Sequence, residues 1–203
     1  MNRIVRFAAA LAVALPLAAA AAPELQSNRA LARRLRQQGR AEATVRYTVT
    51  DPARGEPIRA AGRLALERPG FARLDLDTGE RLTLREDGGD WLQPGTRQLV
   101  RAGARSAGGV LAWWGILLDG DVTRFREAKL GARHFVVRAR DAGGESDGQH
   151  VWLDAAGLPA RVEVRDGDVT RSFRLSAWRF TRPRGRTAFV LDAPSGWETV
   201  ELP

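Results

Sequence analysis

The chain has 203 residues, a formal net charge of +8, 44% hydrophobic residues and no cysteine. That length suits one domain with a sizeable core. The missing cysteine excludes disulfides and the acylated cysteine of a lipoprotein anchor.

The N-terminus reads as an address. Asn2, Arg3 and Arg6 form a positive region, Phe7 to Ala20 is apolar, and small residues at Ala18 to Ala22 offer cleavage sites. This is the pattern of a secretory signal peptide. The expected division is therefore a signal over 1–22 and one exported domain over 23–203. Arginine carries nearly all the positive charge, with clusters at 29–36 and 179–186. The export signal argues against nucleic acid as the partner, leaving anionic lipid headgroups, an acidic protein or a plain solvated surface.

Asn28 to Gln38 is predicted to be a helix, with Ser27 or Asn28 as its N-cap and Gly39 as its stop. Leu31 and Leu35 give it a thin apolar stripe. From Ala41 onward the period changes to two. Val45, Tyr47 and Val49 alternate with Thr44, Arg46 and Thr48. Leu64 and Leu66 follow, then Leu74 and Leu76, then Leu82 and Leu84, with turn residues between them. Trp91 and Leu99 fall in the next two strands. Six short strands in succession predict an antiparallel meander with one apolar and one charged face.

The stretch Gly109 to Leu118 interrupts that alternation. It is apolar apart from two glycines and too short to span a bilayer. As a helix apolar on all sides it must be buried or must meet something apolar. It reads either as core or as a lid over the apolar face, carried by Leu111, Trp113, Trp114, Leu117 and Leu118. Beyond it, strands are expected at Phe135 to Arg140, Val151 to Leu153, Val162 to Arg165, Val169 to Phe180 and Phe189 to Leu191. In the long strand, Phe173, Leu175 and Ala177 are expected opposite Arg174, Ser176 and Trp178. The predicted fold is mainly β with helices: a strongly curved antiparallel sheet of about ten or eleven strands, an incomplete barrel closed by a short helical lid.

Two groups of residues carry a resemblance. The first is Glu67-Arg68-Pro69-Gly70-Phe71-Ala72-Arg73 followed by Glu86-Asp87-Gly88-Gly89-Asp90-Trp91. The second is Val151-Trp152-Leu153-Asp154 and Gly157-Leu158-Pro159, then Phe189-Val190-Leu191-Asp192-Ala193-Pro194-Ser195-Gly196-Trp197-Glu198. In order and spacing these resemble the outer-membrane lipoprotein carrier family (LolA-like), over nearly the whole mature chain. The resemblance implies a periplasmic, monomeric carrier without cofactor, which holds acyl chains of lipoproteins or a related lipid in a hydrophobic cavity. It also implies an inner-membrane ABC-type or other lipid exporter as donor and an outer-membrane acceptor. Arg68 would be the latch that bonds the lid. The chain departs from the family in having Leu74 and Leu76 where aromatic residues are usual, and Leu92-Gln93-Pro94 after the hairpin tryptophan. A sensor or adaptor that binds a protein or lipid signal on the same fold is the alternative.

Catalytic and metal-binding patterns are thin. His134 and His150 lack metal-ligand spacing, Ser106 misses the G-x-S-x-G elbow by its first glycine, and Asp119-Gly120-Asp121 is a turn without the ligand count for calcium. The expected reading is a non-enzyme with no metal. The candidate cavity lining is Val45, Tyr47, Val49, Leu64, Leu66, Leu74, Leu76, Leu82, Leu84, Trp91 and Leu99.

Overall fold

A computed structural model describes residues 24–103, 114–118, 124–140 and 148–202. The expected signal peptide, and Leu111 and Trp113 of the expected lid, lie outside the described residues. Helix α1 (Arg29–Gln38) ends at Gly39, whose φ of 87° lets its N–H reach the carbonyl of Leu35. That is the left-handed C-cap for which glycine is suited. The N-terminal side differs from expectation. Neither Ser27 nor Asn28 caps α1 through its side chain. Instead the Glu127 carboxylate accepts the backbone N–H groups of Gln26 and Ser27 at 2.5 and 3.1 Å.

Twelve strands follow among the described residues, one more than the upper expectation. The first six are β1 (Arg40–Thr50), β2 (Ile58–Glu67), β3 (Phe71–Leu76), β4 (Arg81–Arg85), β5 (Gly88–Gln93) and β6 (Gln98–Gly103). Residues 114–118 are helical and are labelled α2. The rest are β7 (Phe125–Gly131), β8 (His134–Ala139), β9 (Gln149–Leu153), β10 (Pro159–Asp166), β11 (Val169–Thr181) and β12 (Glu198–Leu202). They form one strongly curved, open sheet in the order β12-β6-β5-β4-β3-β2-β1-β11-β10-β9-β8-β7. All neighbours are antiparallel except β12, which runs parallel to β6. The strand expected at Phe189 to Leu191 is instead a 3-10 turn (Arg186–Phe189) leading toward β12.

The inner face carries the helices. Ala41, Ala43 and Val45 of β1, Leu64 and Leu66 of β2, and Ala72, Leu74 and Leu76 of β3 pack with Leu31 and Leu35 of α1. Phe173 and Leu175 of β11 and Val162 of β10 complete the cluster. Register places the same parity opposite itself across strands, as in Leu64↔Leu74 and Leu74↔Leu82. A β-bulge changes the parity along β11. Ser176 pairs with Thr44 and Arg179 with Glu42, so two residues of β11 oppose Ala43 alone. Ala177 takes the left-handed conformation there, with φ 53°. One inserted residue exchanges the faces. Trp178 and Phe180 therefore pack inward, contrary to the strict alternation expected for Trp178, and Arg179 stays outside.

The outer face of β1 to β6 is charged, and a strap of chain over 182–197 crosses it between β11 and β12. A segment lying across strands cannot join their ladder, so its backbone groups need side-chain partners. The sheet supplies them strand by strand. Glu67 of β2 accepts the N–H of Arg184 and Gly185 at 2.9 and 2.7 Å. Arg73 of β3 donates to the Ala188 carbonyl and Arg85 of β4 to that of Phe189, both at 2.9 Å. Asp90 of β5 accepts from Leu191 N–H at 3.1 Å, and Arg101 of β6 donates to the Leu191 carbonyl. Glu67 and Asp90 are buried, and each is also paired with an arginine: Glu67 with Arg40 at 2.9 Å, Asp90 with Arg85 at 2.7 Å. Phe189 stacks on Phe71 with ring centroids 5.3 Å apart.

Glu67→Ala leaves the buried guanidinium of Arg40 short of a partner and two strap N–H groups without an acceptor. It is expected to destabilise the protein by about 3–5 kcal/mol, and Glu67→Gln by less, in urea unfolding. Equal stability of Glu67→Ala and wild type would mean that the strap is not held by this carboxylate.

Candidate functional site

The apolar inner face is where the sequence-predicted lining converges. Val45, Leu64, Leu66, Leu74 and Leu76 are buried in one cluster, with Tyr47, Leu82 and Leu84 packed against it. Tyr47 stacks on Phe173 at 4.7 Å between centroids. Burial pushes its phenol above the ordinary range, partly opposed by Arg171, so it stays neutral. Trp91 lies directly across from Leu82 and so shares the inner face. Its indole N–H is buried with no acceptor among the described residues. Val49 is half-buried at the rim, paired with the exposed Ile58.

Leu99 does not join this group. It pairs with Leu92, one position out of phase with Trp91, and is buried with Leu92 and Leu191 beneath the strap. Its strand carries Val100 on the inner face, opposite Trp91. Alternation alone left the phase of β6 open, because the run Gln98-Leu99-Val100 is apolar at both parities.

Helix α2 roofs the inner face. Trp114 and Leu117 enter the cluster formed by β1 to β3, β10 and β11, with Leu118 packed against it. Ile116 points the other way, into a second cluster with Leu25, Phe125, Val137 and Val151. A helix apolar on all sides is thus satisfied by lying between two apolar walls. A polar tie to the frame comes from the Asn28 side-chain amide, which donates to the Leu117 carbonyl at 3.1 Å in a buried setting. Sequence reading gave Asn28 the duty of capping α1; its carboxamide instead holds α2. Arg68 is exposed, and its backbone N–H donates to the Gly39 carbonyl, at the end of α1. The Arg68 side chain makes no hydrogen bond or ion pair with the described residues.

A cross-strand pair that spacing did not reveal lies farther along the sheet. His134 Nε2 and His150 Nδ1 are 3.0 Å apart, one ring nitrogen donating to the other. The His134 ring stacks on Trp152 at 4.3 Å, and Arg161 lies 4.6 Å over the same indole. Sixteen residues separate the two histidines in sequence; only the β8–β9 register, with His134↔Trp152 and Val136↔His150, brings them together. Among the described residues no group of three His, Cys, Asp or Glu side chains could hold a metal. No helix among them is long and apolar enough to cross a membrane.

The described chain is thus an open half-barrel with a helix-bearing apolar interior. No protein-family model matches the sequence, and no curated protein matches it significantly. Among solved structures it is similar to an outer membrane lipoprotein-sorting protein domain from Vibrio parahaemolyticus, at 16% identity and a TM-score of 0.49, covering 79% of this chain and 94% of that one. It is also similar to a LolA superfamily protein from Nitrosomonas europaea, at 8% identity and TM-score 0.42, covering 81% and 97%. A DUF1329 family protein from Desulfovibrio piger gives 10% identity and TM-score 0.49, covering 83% and 98%. At these identities the likeness is one of chain path, and it transfers no residue role.

His150 is expected to make stability depend on pH. Burial holds the His150 imidazole below its usual range, and the charges of His134 and Arg165 act the same way. A base with a depressed folded-state pKa binds fewer protons folded than unfolded, so its contribution is present above about pH 6.5 and is lost as pH falls through the folded value. The thermal midpoint is expected to drop between pH 7.5 and pH 5, with a shallower drop in His150→Gln. Parallel pH profiles for the two proteins would remove His150 as the cause.

Proposed function

We propose that the chain binds the acyl chains of lipoproteins or a related lipid on the inner face of the sheet, beneath α2. On this reading it carries them through the periplasm, from an inner-membrane exporter to an outer-membrane acceptor, without catalysis. The observation that carries the reading is the roof: helical residues 114–118 wedged by apolar side chains between two apolar clusters, with the Asn28 amide bonded to the Leu117 carbonyl. The signal-like sequence over 1–22 and the lipoprotein-carrier motifs support the location and the cargo class.

Magnitudes favour exchange of α2 for lipid. Uncovering Trp114, Ile116 and Leu117 costs roughly 5–9 kcal/mol at about 1.5–3 kcal/mol per side chain. A chain of about sixteen carbons returns roughly 13 kcal/mol at about 0.8 kcal/mol per buried CH₂. The surplus, less the cost of association, suits a carrier that must release what it binds. The unpaired indole N–H of Trp91 offers a donor to an ester or amide carbonyl at the end of such a chain. Arg68, exposed beside the C-terminus of α1, is the proposed latch.

Native mass spectrometry of the protein purified from periplasm should find bound lipid, and a fluorescent fatty acyl probe should be displaced by lipoprotein or phospholipid. Neither co-purified lipid nor probe binding would overturn the proposal and leave the sensor or adaptor reading in its place. Asn28→Ala removes the tie to Leu117 and is expected to release the probe several-fold faster, with a stability loss of about 1 kcal/mol. Arg68→Leu should slow transfer of the probe to acceptor vesicles; an unchanged rate would take Arg68 out of the site.

A further inference from the structure

The outer face carries a second, chemically opposite concavity. A groove of about 380 Å³ lies beside the strap, lined by Arg40, Arg63, Arg73, Arg179 and Arg184 with two acids, Glu42 and Asp75. Register fixes its plan. Arg179, Glu42, Ala65 and Arg73 follow one another across β11, β1, β2 and β3, and Thr44, Arg63 and Asp75 form the next row. Ala65 and Thr44 are short, so the middle is open, and the strap closes one side with Arg184 and Ala188.

The charge inside is unbalanced. Arg40 is spoken for by Glu67 and Glu42, Arg73 by Asp75 and the Ala188 carbonyl, and Arg184 reaches Glu42 at 3.8 Å. Arg63 and Arg179 have no hydrogen-bond or ion-pair partner among the described residues. They flank β1 on a diagonal, two interstrand spacings across and two residues along, roughly 12 Å between backbones, a gap that two long arginine side chains reaching toward each other can close on one anion. The bulge matters here. Strict alternation along β11 would turn Arg179 inward, and the left-handed Ala177, itself part of the groove wall, keeps it outside.

We propose that this groove binds a phosphate-type anion through Arg63 and Arg179, with Arg73 and Arg184 as supporting charges. Guanidinium forks match the paired oxygens of a phosphate and are less strongly hydrated than lysine ammonium groups. The anion is either free phosphate or the phosphate of an anionic lipid headgroup at a membrane surface. The groove and the acyl-binding face lie on opposite sides of the sheet, so this site stands independently of the proposed cargo.

The test titrates the purified protein with inorganic pyrophosphate by calorimetry, and with vesicles of phosphatidylglycerol and phosphatidylcholine, or of phosphatidylcholine alone, by co-sedimentation. Pyrophosphate binding with no preference for the anionic vesicles assigns the site to free phosphate. Preference for the anionic vesicles, competed by pyrophosphate, assigns it to headgroups. Arg63→Ala/Arg179→Ala should weaken whichever binding is seen by about tenfold or more, leaving the thermal midpoint and acyl-probe binding unchanged. Arg29→Ala/Arg33→Ala removes the same charge from α1 and should retain most of the binding. No binding in either assay, or equal losses in the two double variants, would overturn the proposal.

Discussion

The structure depends on one constraint: a chain segment that crosses the face of a sheet cannot use the sheet's own hydrogen-bond ladder. The strap meets that constraint with charged side chains, each from a successive strand, and with two buried carboxylates at its ends. Glu67 receives the strap as it leaves β11, and Asp90 receives it before it turns toward β12. Each carboxylate also pairs with an arginine of the sheet, Glu67 with the buried Arg40 and Asp90 with Arg85. The charge on this face is therefore bonding material as much as solvating surface. By the same device β12 is delivered to the β6 edge, covering strand groups that would otherwise be open to another chain.

Much of this was legible in the sequence, and the parts that were not share a cause. Period-two patterning identified most strands and the inner parity of β1 to β4, because there the large aliphatic residues all keep one parity. It misplaced Leu99, where apolar residues occupy both parities. It also misplaced Trp178, where a bulge shifts the phase in a strand whose composition gives no glycine to mark it. Alanine in the left-handed region is uncommon, so Ala177 carried no warning. The strap was read as a last strand because Phe189-Val190-Leu191 is apolar. Its true role depends on partners roughly a hundred residues away, such as Asp90 for Leu191 and Glu67 for Gly185. The histidine pair was hidden likewise, since spacing along the chain says nothing about register between strands.

The two faces also differ in how firmly their covers are held. Over the outer face the strap is tied at five strands by hydrogen bonds to charged groups, each stronger than a neutral bond. Over the inner face the described residues of α2 rest largely on apolar contact, with the Asn28 amide bonded to the Leu117 carbonyl. Apolar contact is non-directional, so a hydrocarbon chain can take the place of Ile116 or Leu117, at the cost of the hydrogen bond between Asn28 and the Leu117 carbonyl. The strap cannot be exchanged in that way, because lifting it strands Glu67, Asp90 and their arginines together. Local opening free energies are expected to follow this distinction, with α2 opening before the strap.

That asymmetry bears on how one sheet could serve two opposite chemistries. If the inner face is to open to lipid, the β-frame must keep its curvature while α2 moves. The strap braces β2 through β6 from behind, where nothing has to move. The same brace forms one wall of the arginine groove, so the groove's shape is set by the part of the molecule least able to relax. An anion there meets donors already in place, and little ordering cost is added on binding. The charge pattern that a period-two reading describes as a solvated face thus performs two tasks: it fastens the strap, and with the two arginines left over it makes a rigid positive site behind a yielding apolar one.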